Sequence, residues 1–143
     1  MPSKVPTIYV TAGRILLALY FLLPGVAKLL KPASQVAMME HHNIPAALPL
    51  LYVAGAAQVI GALLLLANRY VRFAALGFVL YIIVINTLMH DFWNFTGTEA
   101  AHEIQNFIKN LGILAGLLVL AGFSPKRKLN IKSLRHSDGA HKT

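Results

Sequence analysis

Long apolar runs broken by short polar stretches set the pattern of this chain. Four runs stand out, at about 8–30, 46–67, 71–92 and 104–123. Each is close to the ~20 residues that cross a bilayer core of roughly 30 Å. Apolar side chains occupy every face of these runs, which excludes amphipathic helices resting on a soluble core. The pattern predicts an all-α integral membrane protein, a four-transmembrane-helix bundle over residues 1–123, followed by a polar, basic tail over 124–143. The spacers are too short to hold an extramembrane domain, and residues 137–143 are expected to be disordered. The first run is read as an uncleaved helix: no A-x-A-like site follows it, and Lys28, Lys31 and Pro32 come instead.

Composition strengthens this reading. The chain is 57% hydrophobic and only 13% charged, whereas soluble domains carry about a quarter charged residues. The +8 formal charge does not point to nucleic acid, because the basic residues gather in the tails and one short loop, where they act as topology signals and contacts to anionic lipid. With four spans, Lys4, Arg14, Arg69, Arg72, Lys126, Arg127, Lys128, Lys132, Arg135 and Lys142 share one side, against Lys28, Lys31 and Lys109 on the other. That asymmetry predicts a bacterial inner-membrane protein with both termini cytoplasmic. Glu40, Asp91, Glu99 and Glu103 fall on the outer side with His41, His42, His90 and His102.

Polar residues inside or beside the spans are the candidates for chemistry, because each needs a partner or a wet site there. In the first run Arg14, Ala18, Phe21, Gly25 and Lys28 share one broad face, and snorkelling alone would account for both charges. Gln58 sits mid-span in the second run near Gly55 and Gly61, and is expected to make an interhelical hydrogen bond. The third run ends in Asn86, His90, Asp91, Phe92 and Trp93. The aromatic pair suits the interfacial belt, which leaves His90 and Asp91 unexplained. The fourth opens with Glu103, Asn106, Lys109 and Asn110, and carries Gly112-x-x-x-Gly116, a weak packing signal. These spacings predict an outer polar cluster of Lys28, His90, Asp91, Trp93, Asn106, Lys109 and Asn110, with Asp91 paired to Lys109 or Lys28. Metal is not expected, since His41 and His42 are adjacent and no H-x-x-x-H is present. The absence of cysteine excludes thiol, iron–sulfur and disulfide chemistry.

Several segments together resemble the DoxX family of small four-helix membrane proteins. These are Gly13-Arg14-Ile15-Leu16 with Phe21 and Gly25-Val26-Ala27-Lys28-Leu29, the stretch from Gln58 to Leu66, His90-Asp91-Phe92-Trp93, and Asn106-Phe107-Ile108-Lys109-Asn110-Leu111. The resemblance spans nearly the whole chain outside the tail. It implies an inner-membrane protein, some of whose relatives look like subunits of quinone-linked sulfur-compound oxidoreductases or partners of oxidative-stress complexes. Gln58 stands where many relatives carry an acid, so no proton handling is implied at that position.

The expected function is therefore an accessory, non-catalytic membrane subunit of a quinone-linked redox or oxidative-stress complex, with a quinone as the ligand that Phe92, Trp93, His90 and Lys109 would suit. The alternatives are a structural or assembly protein with no ligand and, third, a small transporter. Expected partners are membrane lipids, redox-complex subunits and further copies of the chain.

Overall fold

The computed structural model describes residues 7–139. Five α-helices follow in order: α1 (Thr7–Leu30), α2 (Ala33–His41), α3 (Ala47–Leu66), α4 (Val71–Leu88) and α5 (Gly97–Phe123). Short 3-10 turns lie at Phe92–Asn94 and Ile131–Arg135, and there is no strand among the described residues. Four helical stretches, Thr7–Leu30, Ala47–Leu66, Val71–Asn94 and Gly97–Phe123, are long and apolar enough to cross a membrane. The protein is thus an all-α, multi-pass membrane protein.

The pairing follows from where small residues allow close approach. Helices α1 and α3 pack along their lengths, as do α4 and α5, and α3 and α4 join the two pairs. The α1–α3 crossing is centred on Gly25 and Gly55: a Cβ added to Gly25 would meet Gln58 Cβ at 2.9 Å, and one added to Gly55 would meet Lys28 Cβ at 3.0 Å and Gly25 O at 3.1 Å. Gly61 leaves room for the Phe78 ring, which stacks on Phe21 with centroids 3.8 Å apart. Ala18, Ala62, Ala75, Leu65 and Leu117 fill the centre, while Leu16, Leu23, Val53, Ile60, Leu80 and Val119 face outward, as lipid requires. The expected Gly112-x-x-x-Gly116 contact does not form. Nothing lies within 4 Å of a Cβ at Gly112, and Gly116 meets only Leu17 at 3.9 Å.

Three elements depart from the sequence reading. The spacer after α1 contains the helix α2, which lies against α3 as a strap. Helix α5 starts at Gly97 rather than near 104, because its polar first turns stand above the apolar span and carry Glu99 and Glu103. The tail is ordered to Gly139, and residues 140–143 lie outside the described residues. The expected disorder thus fails at Asp138: its carboxylate accepts from the Tyr70 and Val71 amides at 3.2 and 2.9 Å, its own amide donates to Asn68 O at 2.7 Å, and Arg127 Nη1 lies 2.7 Å from Oδ1.

That contact supplies what α4 lacks. Tyr70, just before α4, is left-handed (φ 49°), a costly conformation for a bulky residue, and caps no amide with its side chain. Asp138 caps the amides instead and complements the positive helix end. The Tyr70 ring is buried beneath the Arg127 guanidinium, 4.5 Å from its centroid. Its hydroxyl accepts from Asn130 N at 3.1 Å and lies beside Lys128 O, Asn130 O and Ser133 Oγ. At the same end two arginines cover carbonyls that helix termini leave bare. Arg14 donates to Leu65 O and Leu66 O at the end of α3, and Arg72 donates to Ala121 O near the end of α5 at 2.8 Å.

Candidate functional site

The opposite end, covered by the α2 strap, carries a line of imidazoles and carboxylates drawn from three elements. His42, just after α2, places Nδ1 2.6 Å from Asp91 Oδ1. Its Nε2 faces Glu103 Oε1 of α5 at 3.9 Å. Glu103 Oε2 in turn lies 2.6 Å from His90 Nδ1. Asn94 donates to Asp91 Oδ2 at 2.7 Å and ends the line. A second tie joins His41 Nε2 to Glu99 Oε1 at 2.6 Å, but both side chains are about half exposed. Phe95 roofs the pair of adjacent histidines, with ring centroids 5.5 Å from His41 and 5.2 Å from His42.

Ionised carboxylates only accept hydrogen bonds, so His42 and His90 donate through Nδ1. His42 then turns its Nε2 toward Glu103, where an added proton would meet a negative partner. His42 and Asp91 are buried, whereas His90 and Glu103 keep 18% and 15% of their side chains exposed and Asn94 is exposed. The arrangement gives each imidazole of the line a carboxylate from another element, and the 3.9 Å step between His42 and Glu103 is too long for a hydrogen bond.

Below this line α4 and α5 are joined by a second polar rung. Asn110 Nδ2 donates to Asn86 Oδ1 at 2.9 Å, and Asn86 Nδ2 donates to Phe107 O at 3.2 Å. Tyr20 of α1 reaches Asn110 Oδ1 at 3.4 Å. Asn86 thus meets Asn110 across α4 and α5, and His90, just beyond the end of α4, meets Glu103 above them. Gln58 makes the expected interhelical bonds, donating to Phe21 O at 3.4 Å and accepting from Tyr81 at 3.2 Å.

The predicted cluster is only partly gathered. His90 and Asp91 lie in the imidazole–carboxylate line, and Asn110 lies in the rung below it. Asn106 is half-buried on α5. Trp93 is exposed, its ring 5.2 Å edge-on from Phe92, which packs edge-on against Phe107 at 5.5 Å. Lys28 and Lys109 do not pair with Asp91. Lys109 is exposed, and Lys28 is buried with its stem against Gly55. The carboxylate takes a histidine instead because the strap returns across the bundle end and reaches it first. The sequence reading noted His41, His42, Glu99 and Glu103 on the right side but left them out of the site. Phe95 carried no signal at all. The described residues contain no cluster of three or more His, Asp or Glu arranged to hold a metal ion.

The DoxX family model matches residues 9–91, from α1 through the Asp91 carboxylate. The chain belongs to the DoxX family. Inner membrane protein YphA of Escherichia coli (strain K12) is 26% identical over 113 residues, covering 79% of this chain and 81% of that protein. No solved structure matches. The DoxX match includes both glycines of the α1–α3 crossing and both members of the His42–Asp91 pair; Glu99 and Glu103 lie beyond it.

Proposed function

We propose that this DoxX protein is a non-catalytic membrane subunit of a redox assembly, placed in the inner membrane with both chain ends cytoplasmic, and that its strap end serves a quinone headgroup. The observation that carries the reading is the turn after α4, where partly exposed His90, held by Glu103, stands in sequence beside Phe92 and the exposed Trp93. Quinone reduction consumes two electrons and two protons. Both come from a partner subunit, and this chain holds the headgroup. The aromatic rings offer the apolar contact such a headgroup needs, and His90 offers the polar one. The name of YphA agrees with the membrane assigned, and the ten-to-three division of basic residues supports the orientation.

Trp93 is the sole tryptophan and therefore a built-in reporter. Titrating a short-chain quinone into the protein in nanodiscs should quench its fluorescence saturably. His90→Asn should weaken that binding about tenfold, the scale of one lost polar contact, with an unchanged helical circular-dichroism spectrum. Quenching that stays linear in quinone and is the same in His90→Asn removes the quinone reading.

The second reading is a purely structural strap, favoured by the fact that each imidazole of the line already has a carboxylate from another element. It would be selected by that linear result together with a large loss of stability in His42→Leu.

A further inference from the structure

The tail end presents a second surface that the redox reading does not use. Residues 124–139 hold five basic side chains and one acid, and that acid, Asp138, is spent on Arg127 and the start of α4. Lys126, Lys128, Lys132 and Arg135 are all exposed. Alternating with them are apolar side chains that a polar tail has no reason to display: Leu129 is 69% exposed and Ile131 85% exposed. They are not on a loose strand. Tyr70, Arg127 and Ser133 fix the segment against the α3–α4 hairpin. Between the segment and the spans runs an apolar groove of about 300 Å3, lined by Leu64, Phe73, Leu129, Ile131 and Leu134 with the Tyr70 ring.

The groove lies where α3 ends and α4 begins, with the exposed Phe73 ring on its wall. We propose that the tail and hairpin form a binding site for an anionic phospholipid of the adjacent leaflet. An acyl chain lies along Leu64, Phe73, Leu129 and Leu134, and the phosphate faces the lysines beside them. The charge complementarity selects the lipid class: Lys126, Lys128, Lys132 and Arg135 are exposed on the segment that lines the groove, and its one acid, Asp138, is paired with Arg127. Ile131 and Leu129 enter the boundary between headgroups and acyl chains, as apolar residues of a membrane-surface segment do.

The test uses the full chain in nanodiscs of phosphatidylcholine and phosphatidylglycerol in equal parts, released into native mass spectrometry to count the lipids retained. The wild type should retain phosphatidylglycerol in preference. Lys126, Lys128, Lys132 and Arg135 all changed to Gln should lower that preference about tenfold or more, because each cation near a lipid surface adds attraction. Ile131→Asp with Leu134→Asp should abolish retention of the bound lipid. All six positions are exposed or rim residues, and an unchanged circular-dichroism spectrum shows that the fold is kept. Equal retention of the two lipids by the wild type overturns the proposal, as does undiminished preference in the four-Gln variant. A dimer that forms only when this groove carries no lipid also overturns it, since a second copy then fills the groove.

Discussion

At the strap end a short helix is tied across the bundle by imidazoles that meet carboxylates; at the tail end an irregular segment is tied by a guanidinium, a phenol and a carboxylate that grips backbone amides. The first set of ties joins side chain to side chain, between groups whose charge changes with one proton. The second engages mostly backbone, whose hydrogen bonding never changes, together with an arginine that stays charged. One end of the bundle is therefore held by pairs of ionisable side chains, while the other is a fixed fitting that positions a surface. Both closures are delivered by segments outside the spans, so the chemistry of each end was assigned by what returns to it rather than by the helices it covers.

The largest test of this contrast breaks what the two ends share. Gly55→Leu drives a side chain into Lys28 Cβ and Gly25 O, and α1 must part from α3. Overpacking of this kind costs about 3 kcal/mol, and unfolding in mixed micelles should show the loss together with failure of both closures. If the variant is as stable as wild type, the glycine crossing is not their common support.

Next, the ends should separate cleanly. Asp91→Ala strands His42 and Asn94 and should cost about 2–3 kcal/mol. Asp138→Ala uncaps α4 and frees Arg127, for about 1–2 kcal/mol. Trypsin should then cut after Arg127 in Asp138→Ala but not in Asp91→Ala. Because the sites share no partners, the double variant should show a summed loss to within about 0.5 kcal/mol. A larger departure would mean that strain travels from one end to the other. The smallest effect is expected for Lys109→Gln. This residue is exposed and lies in neither closure, so unfolding should shift by no more than about 0.5 kcal/mol.

The four spans were legible because length and apolarity alone define them, and the buried face of α1, with Ala18, Phe21, Gly25 and Lys28, followed from helical spacing. The facing edges of α4 and α5 were legible for the same reason. Periodicity states which residues of one helix lie together, but not which distant segment comes back to meet them. That is why Asp91 was given a lysine when its partner is His42, forty-nine positions away in sequence. It is also why Asp138, one acid in a basic tail, looked like part of a disordered end. The strap was missed because Ala33–His41 is only modestly apolar and begins beside a proline, which reads as a spacer. Its two histidines are adjacent, a spacing that argues against a metal site and carries no sign of ties to other segments. The αL positions Ala46 and Tyr70 had no sequence signal, since neither is a residue that favours that conformation.

The arginines at the tail end have a consequence for how the bundle meets bilayers of different thickness. Arg14 grips the last carbonyls of α3, and Arg72 grips a carbonyl near the end of α5. A helix whose terminus is held by its neighbour's guanidinium cannot slide along that neighbour without baring those carbonyls. Adjusting one span at a time is therefore closed off. A thinner or thicker membrane is met instead by tilting the four spans as one body, or by deforming the lipid around them.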